Sequence, residues 1–182
     1  MKQALRCLVA GAILLAIATS AAAQAPIGSQ RFGAWQLDVY SLAGRRAHGG
    51  TKSRDPGAKQ VHVIQQYSWN ADNKTVSLVT RVRFFDSHRA ALLFILPADT
   101  DRKSKVGFAV DAGPSVTLSG LDCDSRICLA TADLDRPLLT KLRQGTALVV
   151  HYRAAGEPYD QPVSLAGFTR AYAALEKTEA AN

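Results

Sequence analysis

Asp86, Ser87 and His88 are consecutive and hold an acid, a hydroxyl and an imidazole, the parts of a nucleophilic triad. A triad works when the base reaches both the nucleophile and the orienting acid in space. Three adjacent side chains in a turn do not converge in that way, and no G-x-S-x-G elbow is present. The run therefore reads as a polar turn. A zinc site needs four ligands at ligand spacing, whereas His48, His62, His88 and His151 are scattered. His62 and His151 fall inside alternating strand patterns and read as strand-surface residues. Asp133 and Asp135 read as helix caps, and Asp122 and Asp124 flank a cysteine in a tight loop. Asn73-Lys74-Thr75 matches a glycosylation acceptor but reads as a turn. No Gly-rich phosphate loop follows a strand and opens a helix. The sequence thus offers no catalytic, metal or cofactor constellation.

Two features remain. Cys123 and Cys128 are close together, and a disulfide is favoured over two weaker readings. A redox pair is normally spaced C-x-x-C, and four residues intervene here; a zinc site lacks its other ligands. The second feature is the stretch 44–59, where Arg45, Arg46, Lys52, Arg54 and Lys59 stand against Asp55 alone. It reads as a solvated loop or, alternatively, as an electrostatic contact for anionic lipid, glycolipid or polysaccharide.

The amino terminus bears on both. Lys2 and Arg6 precede an apolar run from Leu8 to Ala18, and Ala21-Ala22-Ala23 fits a small-residue cleavage site. This is the layout of a secretory signal peptide over residues 1–23, with the mature chain expected to begin at Gln24. A helix of 11 residues is about 16 Å long, too short for a hydrocarbon core of about 30 Å. No later stretch approaches the length of a transmembrane helix. Export would place the cysteine pair in an oxidising compartment, the periplasm, outer envelope or exterior, and away from nucleic acid. The 182 residues carry a formal charge of +7 and 47% hydrophobic residues, in the globular range. Residues 24–182 are expected to form one domain.

The elements that would position these residues read as mainly β. Gln24 to Arg31 reads as a disordered lead-in. Trp35, Leu37 and Val39 alternate with polar residues, the period of a half-buried strand. Val61 to Trp69 and Thr75 to Phe85, separated by a turn cluster, form a hairpin. Ala91 to Leu96 is apolar throughout, as in a strand buried on both faces. Short strands follow at Val106–Val110, Val116–Leu118 and Ile127–Ala132. Asp135 to Gly145 is a helix, with Asp135 as its cap, Pro137 in its first turn and Gly145 as a left-handed stop. Ala147–Tyr152 and Tyr159–Val163 pair as the last hairpin. Ser164 is the expected cap of a C-terminal helix whose Leu165, Phe168, Tyr172 and Leu175 share one face and close the core. The whole predicts an antiparallel β-sandwich with two short helices, one before the last hairpin and one C-terminal.

Several segments carry a family resemblance: Val106-Gly-Phe-Ala-Val-Asp111, the Cys123-(x4)-Cys128-Leu-Ala loop, Leu138-Leu139-(x2)-Leu142-(x2)-Gly145, and Pro162-Val-Ser-Leu-Ala-Gly-Phe-Thr169. Together with the opening Phe32-Gly-Ala-Trp35, they resemble the invasion-associated locus B family. The Ser-Leu-Ala-Gly-Phe-Thr segment is the most specific part. The resemblance implies an exported bacterial protein of the periplasm or outer envelope, linked with invasion of host cells. It implies no catalytic residue and no cofactor. Family members also carry cysteines in the first half; here the matching neighbourhoods read Asp38-Val-Tyr40 and Val63-Ile-Gln-Gln-Tyr67.

These readings favour a non-enzymatic envelope or secreted protein that contacts another protein or an envelope or host surface component. The alternative is an anion-binding module using loop 44–59. An enzyme with a site assembled from distant residues ranks third. Exposed aromatics on a flat surface would favour the contact protein; a deep pocket of convergent, perturbed titratable groups would favour the enzyme.

Overall fold

The computed structural model describes residues 25–42, 60–70, 75–86, 89–118 and 120–181. The expected leader 1–23, the loop cations Arg45, Arg46, Lys52, Arg54 and Lys59, and Asn73, Ser87 and His88 lie outside these residues.

The elements in chain order are β1 (Gly28–Phe32), β2 (Trp35–Ser41), β3 (Gln60–Trp69), β4 (Val76–Phe84), β5 (Ala90–Pro97), β6 (Gly107–Val110), β7 (Val116–Thr117), β8 (Leu121–Cys123), β9 (Ile127–Asp133), α1 (Arg136–Gln144), β10 (Ala147–Ala154), β11 (Glu157–Ser164) and α2 (Phe168–Glu179). They build two antiparallel sheets, one ordered β1-β2-β3-β4-β5-β9-β8 and the other β11-β10-β6-β7. The expected sandwich with two helices is what the chain forms.

Strand alternation decides what each sheet buries. Leu37, Ile64, Val82, Leu92 and Phe94 of the larger sheet join Phe108, Leu148, Val150 and Val163 of the smaller one in a single core. The Phe94 and Phe108 rings meet across the two layers at 5.4 Å. β5 is buried on both faces, because its alternate residues Ala91 and Leu93 are covered as well. Polar ties join the layers at their margin: Ser68 Oγ donates to Pro162 O at 3.2 Å and Tyr152 Oη to Ser77 O at 3.1 Å. Burial pushes the Tyr152 phenol up to about 12.

Helix α2 lies against β1, β2, β3 and α1. Phe168, Tyr172 and Leu175 are buried on it, as expected. Leu165 is buried too, but it precedes the helix. Ser164 does not cap α2: it ends β11, and Gly167, at φ 89°, is the cap residue. Two further readings are corrected. The lead-in before Arg31 contains strand β1, held by backbone pairing to β2 from Gly28↔Val39 to Phe32↔Trp35. Gly145 is extended (φ −74°, ψ 166°), not left-handed. It is glycine because a Cβ there would come within 2.6 Å of Val110 Cγ1.

Candidate functional site

On the outward face of the larger sheet, the alternation that buries Trp35, Leu37, Ile64 and Val82 leaves a set of polar and aromatic residues. Register then brings them side by side: Gln36 is opposite Gln65, and Gln65 is opposite Arg81. Asp38 is buried, and its Oδ1 accepts hydrogen bonds from Ser29 Oγ and, at 2.7 Å, from Gln36 Nε2. Its Oδ2 accepts from Gln65 Nε2 at 2.5 Å. Gln65 Nε2 also reaches Tyr67 Oη at 2.8 Å and Tyr40 Oη at 3.2 Å. Gln65 Oε1 in turn accepts from Arg81 Nε at 2.9 Å and from a terminal guanidinium nitrogen at 2.6 Å. The buried amide thus couples a buried carboxylate to a guanidinium. A network satisfied in this way is stiff.

Tyr67 and Trp69 stand beside it, 44% and 48% exposed. Together with Arg31, Ala34, Gln36 and Gln65 they line a shallow depression of about 220 Å³. Burial and the neighbouring Tyr40 hold the Tyr67 phenol above its usual range. Phe85 lies 52% exposed near the end of β4, with the Arg83 guanidinium 4.3 Å from its ring centre.

A larger cleft of about 650 Å³ opens between α1, the end of β9 and the β6–β7 edge. Phe108, Val110, Val116, Leu118 and Leu138 give it apolar walls, and Asp111, Asp133, Asp135 and Lys141 are its charged residues. Asp135 Oδ1 caps α1 by accepting from Leu138 N at 2.8 Å, as expected. Asp133 does not cap; it is the last residue of β9. Asp111 Oδ1 accepts from Thr146 Oγ1 at 2.7 Å, Thr146 N at 3.0 Å and Ala147 N at 2.9 Å. These bonds, that of the Thr146 side chain first, hold its carboxyl below the usual carboxylate range.

The other sequence candidates fall as follows. Cys123 and Cys128 form a disulfide across the β8–β9 hairpin, where they are register partners. In that hairpin's turn, Asp124 accepts from the Arg126 and Ile127 amides, which lower its pKa in that order. Asp86 accepts from Arg89 N at 2.9 Å and Arg89 Nε at 2.6 Å, a turn-closing role. His62 is not at the surface: it is buried, with Nδ1 3.2 Å from Glu179 Oε1 of α2. His151 is exposed and sits 2.7 Å from Asp160, its register partner. Among the described residues, no group of three or more His, Cys, Asp or Glu could hold a metal ion. No described helix is long and apolar enough to cross a membrane.

Sequence reading missed the Asp38–Gln65–Arg81 network and its aromatic neighbours. The available signal was polar residues at alternate positions of three successive strands. That signal acquires meaning only once the register is known.

The invasion associated locus B (IalB) protein family matches residues 52–176. Among solved structures, the crystal structure of invasion associated protein B from Bartonella henselae superposes with a TM-score of 0.64. It covers 83% of this chain and 96% of its own, at 19% sequence identity, so the likeness is one of fold. No curated protein matches the chain. As the family match spans well over half of its residues, the chain belongs to the invasion-associated locus B family.

Proposed function

We propose that this chain is an exported envelope protein that works by contact with another macromolecule and not by catalysis. The observation that carries the reading is the pair Tyr67 and Trp69, two large exposed aromatics held on the stiff outward face of the larger sheet. Arg31 lies beside them. Aromatic and arginine side chains dominate the energetics of interfaces, and a pre-ordered aromatic loses little conformational entropy on binding. Family membership and the leader at residues 1–23 support the envelope location.

The test is capture of the mature protein on immobilised bacterial envelope extract and on host-cell membranes, with Tyr67→Ala/Trp69→Ala compared with the parent. Loss of most of the captured protein, with an unchanged melting temperature, is expected. Equal capture of both proteins would remove the aromatic face from the function.

A further inference from the structure

We infer that the outward face of the larger sheet binds an acidic polysaccharide, with one sugar ring seated on Tyr67 and Trp69 and its carboxylate on Arg31. The inference rests on the contact reading above and names the chemistry of the partner.

Charge points to an anion. Register sets Arg31 opposite Gln36, Gln36 opposite Gln65 and Gln65 opposite Arg81, and Arg83 follows one repeat beyond Arg81 on the same face. Asp38 is the sole acid in β1 to β5. Both of its oxygens are already taken, Oδ1 by Ser29 and Gln36 and Oδ2 by Gln65. The bonds from Arg81 to Gln65 go to a neutral amide. Arg83 packs over the Phe85 ring, and its buried Nε has no hydrogen-bond partner. Arg31 is exposed and makes no hydrogen bond or ion pair among the described residues. Three guanidinium groups thus stand against one carboxylate that has no bonding capacity to spare.

Shape and polarity point to a sugar. The depression of about 220 Å³ is smaller than a pocket that encloses a drug-sized ligand, about 300 Å³ or more, and suits a single ring. Ala34, Tyr67 and Trp69 form half of its lining, and the planar polar groups of Arg31, Gln36 and Gln65 form the other half. The negative face of an aromatic ring suits the weakly positive C–H face of a sugar. Tyr67 Oη accepts from Gln65 Nε2, so its own proton is left to donate outward, and burial keeps the phenol protonated. Arg31 offers a guanidinium fork that matches a carboxylate. A protein hot spot would instead seat an apolar anchor in a desolvated pocket, and here it would strip water from Arg31 and Gln36. Neighbouring strands lie about 4.8 Å apart, so the backbones of Arg31 and Arg81 stand about 14 Å apart across the sheet. A chain of acidic rings spans that distance; one ring does not.

The probe is tri-galacturonate, titrated into the protein by calorimetry, with its methyl ester as the neutral control. Saturable binding of the acid is expected, and the ester should bind about tenfold more weakly. Arg31→Gln should lower the acid to the affinity of the ester and leave the ester unchanged, a selective loss that misfolding cannot produce. Trp69→Ala should abolish binding of both, and Trp69→Phe should retain it. No saturable binding, equal binding of acid and ester, or an acid preference that survives in Arg31→Gln would each overturn the inference. Capture on envelope extract separates it from the contact reading. Periodate treatment of the extract, which cleaves sugar diols, should abolish capture. Capture that needs Tyr67 and Trp69, survives periodate and is destroyed by protease would overturn the polysaccharide and leave the contact reading standing. Capture indifferent to both aromatics would overturn both.

Discussion

Gly33 and Gly167 interlock where the β1–β2 turn meets the start of α2. A Cβ on Gly33 would stand 2.6 Å from Ala166 O, and one on Gly167 would overlap Phe32 O. Both residues have positive φ, 63° and 89°. Around them Ala34 N donates to Ala166 O at 3.0 Å and Trp35 Nε1 to Ser164 O at 2.9 Å. The Trp35 and Phe168 rings meet edge to face at 5.1 Å. The Phe32-Gly-Ala-Trp35 and Ser-Leu-Ala-Gly-Phe-Thr segments, which carry much of the family resemblance, are therefore two halves of one structural joint. At these positions the residues serve to close the sandwich.

Gly167→Ala should consequently be severe. The new Cβ meets backbone, which cannot swing aside, and alanine at this φ adds strain of its own. A loss of about 3 kcal/mol or more is expected in urea denaturation. A loss below about 1 kcal/mol would mean that the joint relaxes freely.

The Cys123–Cys128 bond closes a short hairpin, so its entropic effect on the unfolded chain is modest. Replacing both by alanine should cost about 2 kcal/mol by the chain-entropy relation, while the fold survives. Denaturant titration of the double variant under oxidising conditions measures this. The deficit should vanish when the parent is first reduced.

Asp111 gives a pH dependence with a definite sign. Its folded pKa is lowered by bonds from Thr146 and Ala147. The stabilisation is therefore fully present above the unfolded carboxyl value of about 4 and is lost as pH falls through the lower folded value. Asp111→Asn keeps a residue that tolerates the left-handed backbone at φ 49° but removes the charge. The stability gap between parent and variant should be widest near neutral pH and shrink as the solution is acidified below pH of about 4. A gap that stays constant down to pH of about 2 would assign the stabilisation to another group.

Most strand positions were legible because β2, β3, β5 and β9 bury apolar residues at period two or continuously, and turns of Gly, Asp and Asn separate them. β1 was not, since Gly28 to Phe32 is largely exposed and owes its conformation to pairing with β2. β8 is too short to show a period. The start of α2 was misplaced because Leu165 fits the helical spacing and is buried, yet Gly167 turns the chain after it. His62 is hidden by the distant Glu179, which no local pattern reveals. The outward network depends on which strands are neighbours, a property that emerges only when the sheet is assembled.

The joint at Gly33 and Gly167 also bears on the order of events in folding. The two glycines are separated by most of the chain, so the loop that brings them together is long and its closure entropically costly. Trp35 cannot find Phe168 until the C-terminal segment is available. Such non-local topologies fold in milliseconds to seconds, and not in microseconds. Until the segment that carries Phe168 is free to meet Trp35, this part of the core stays open.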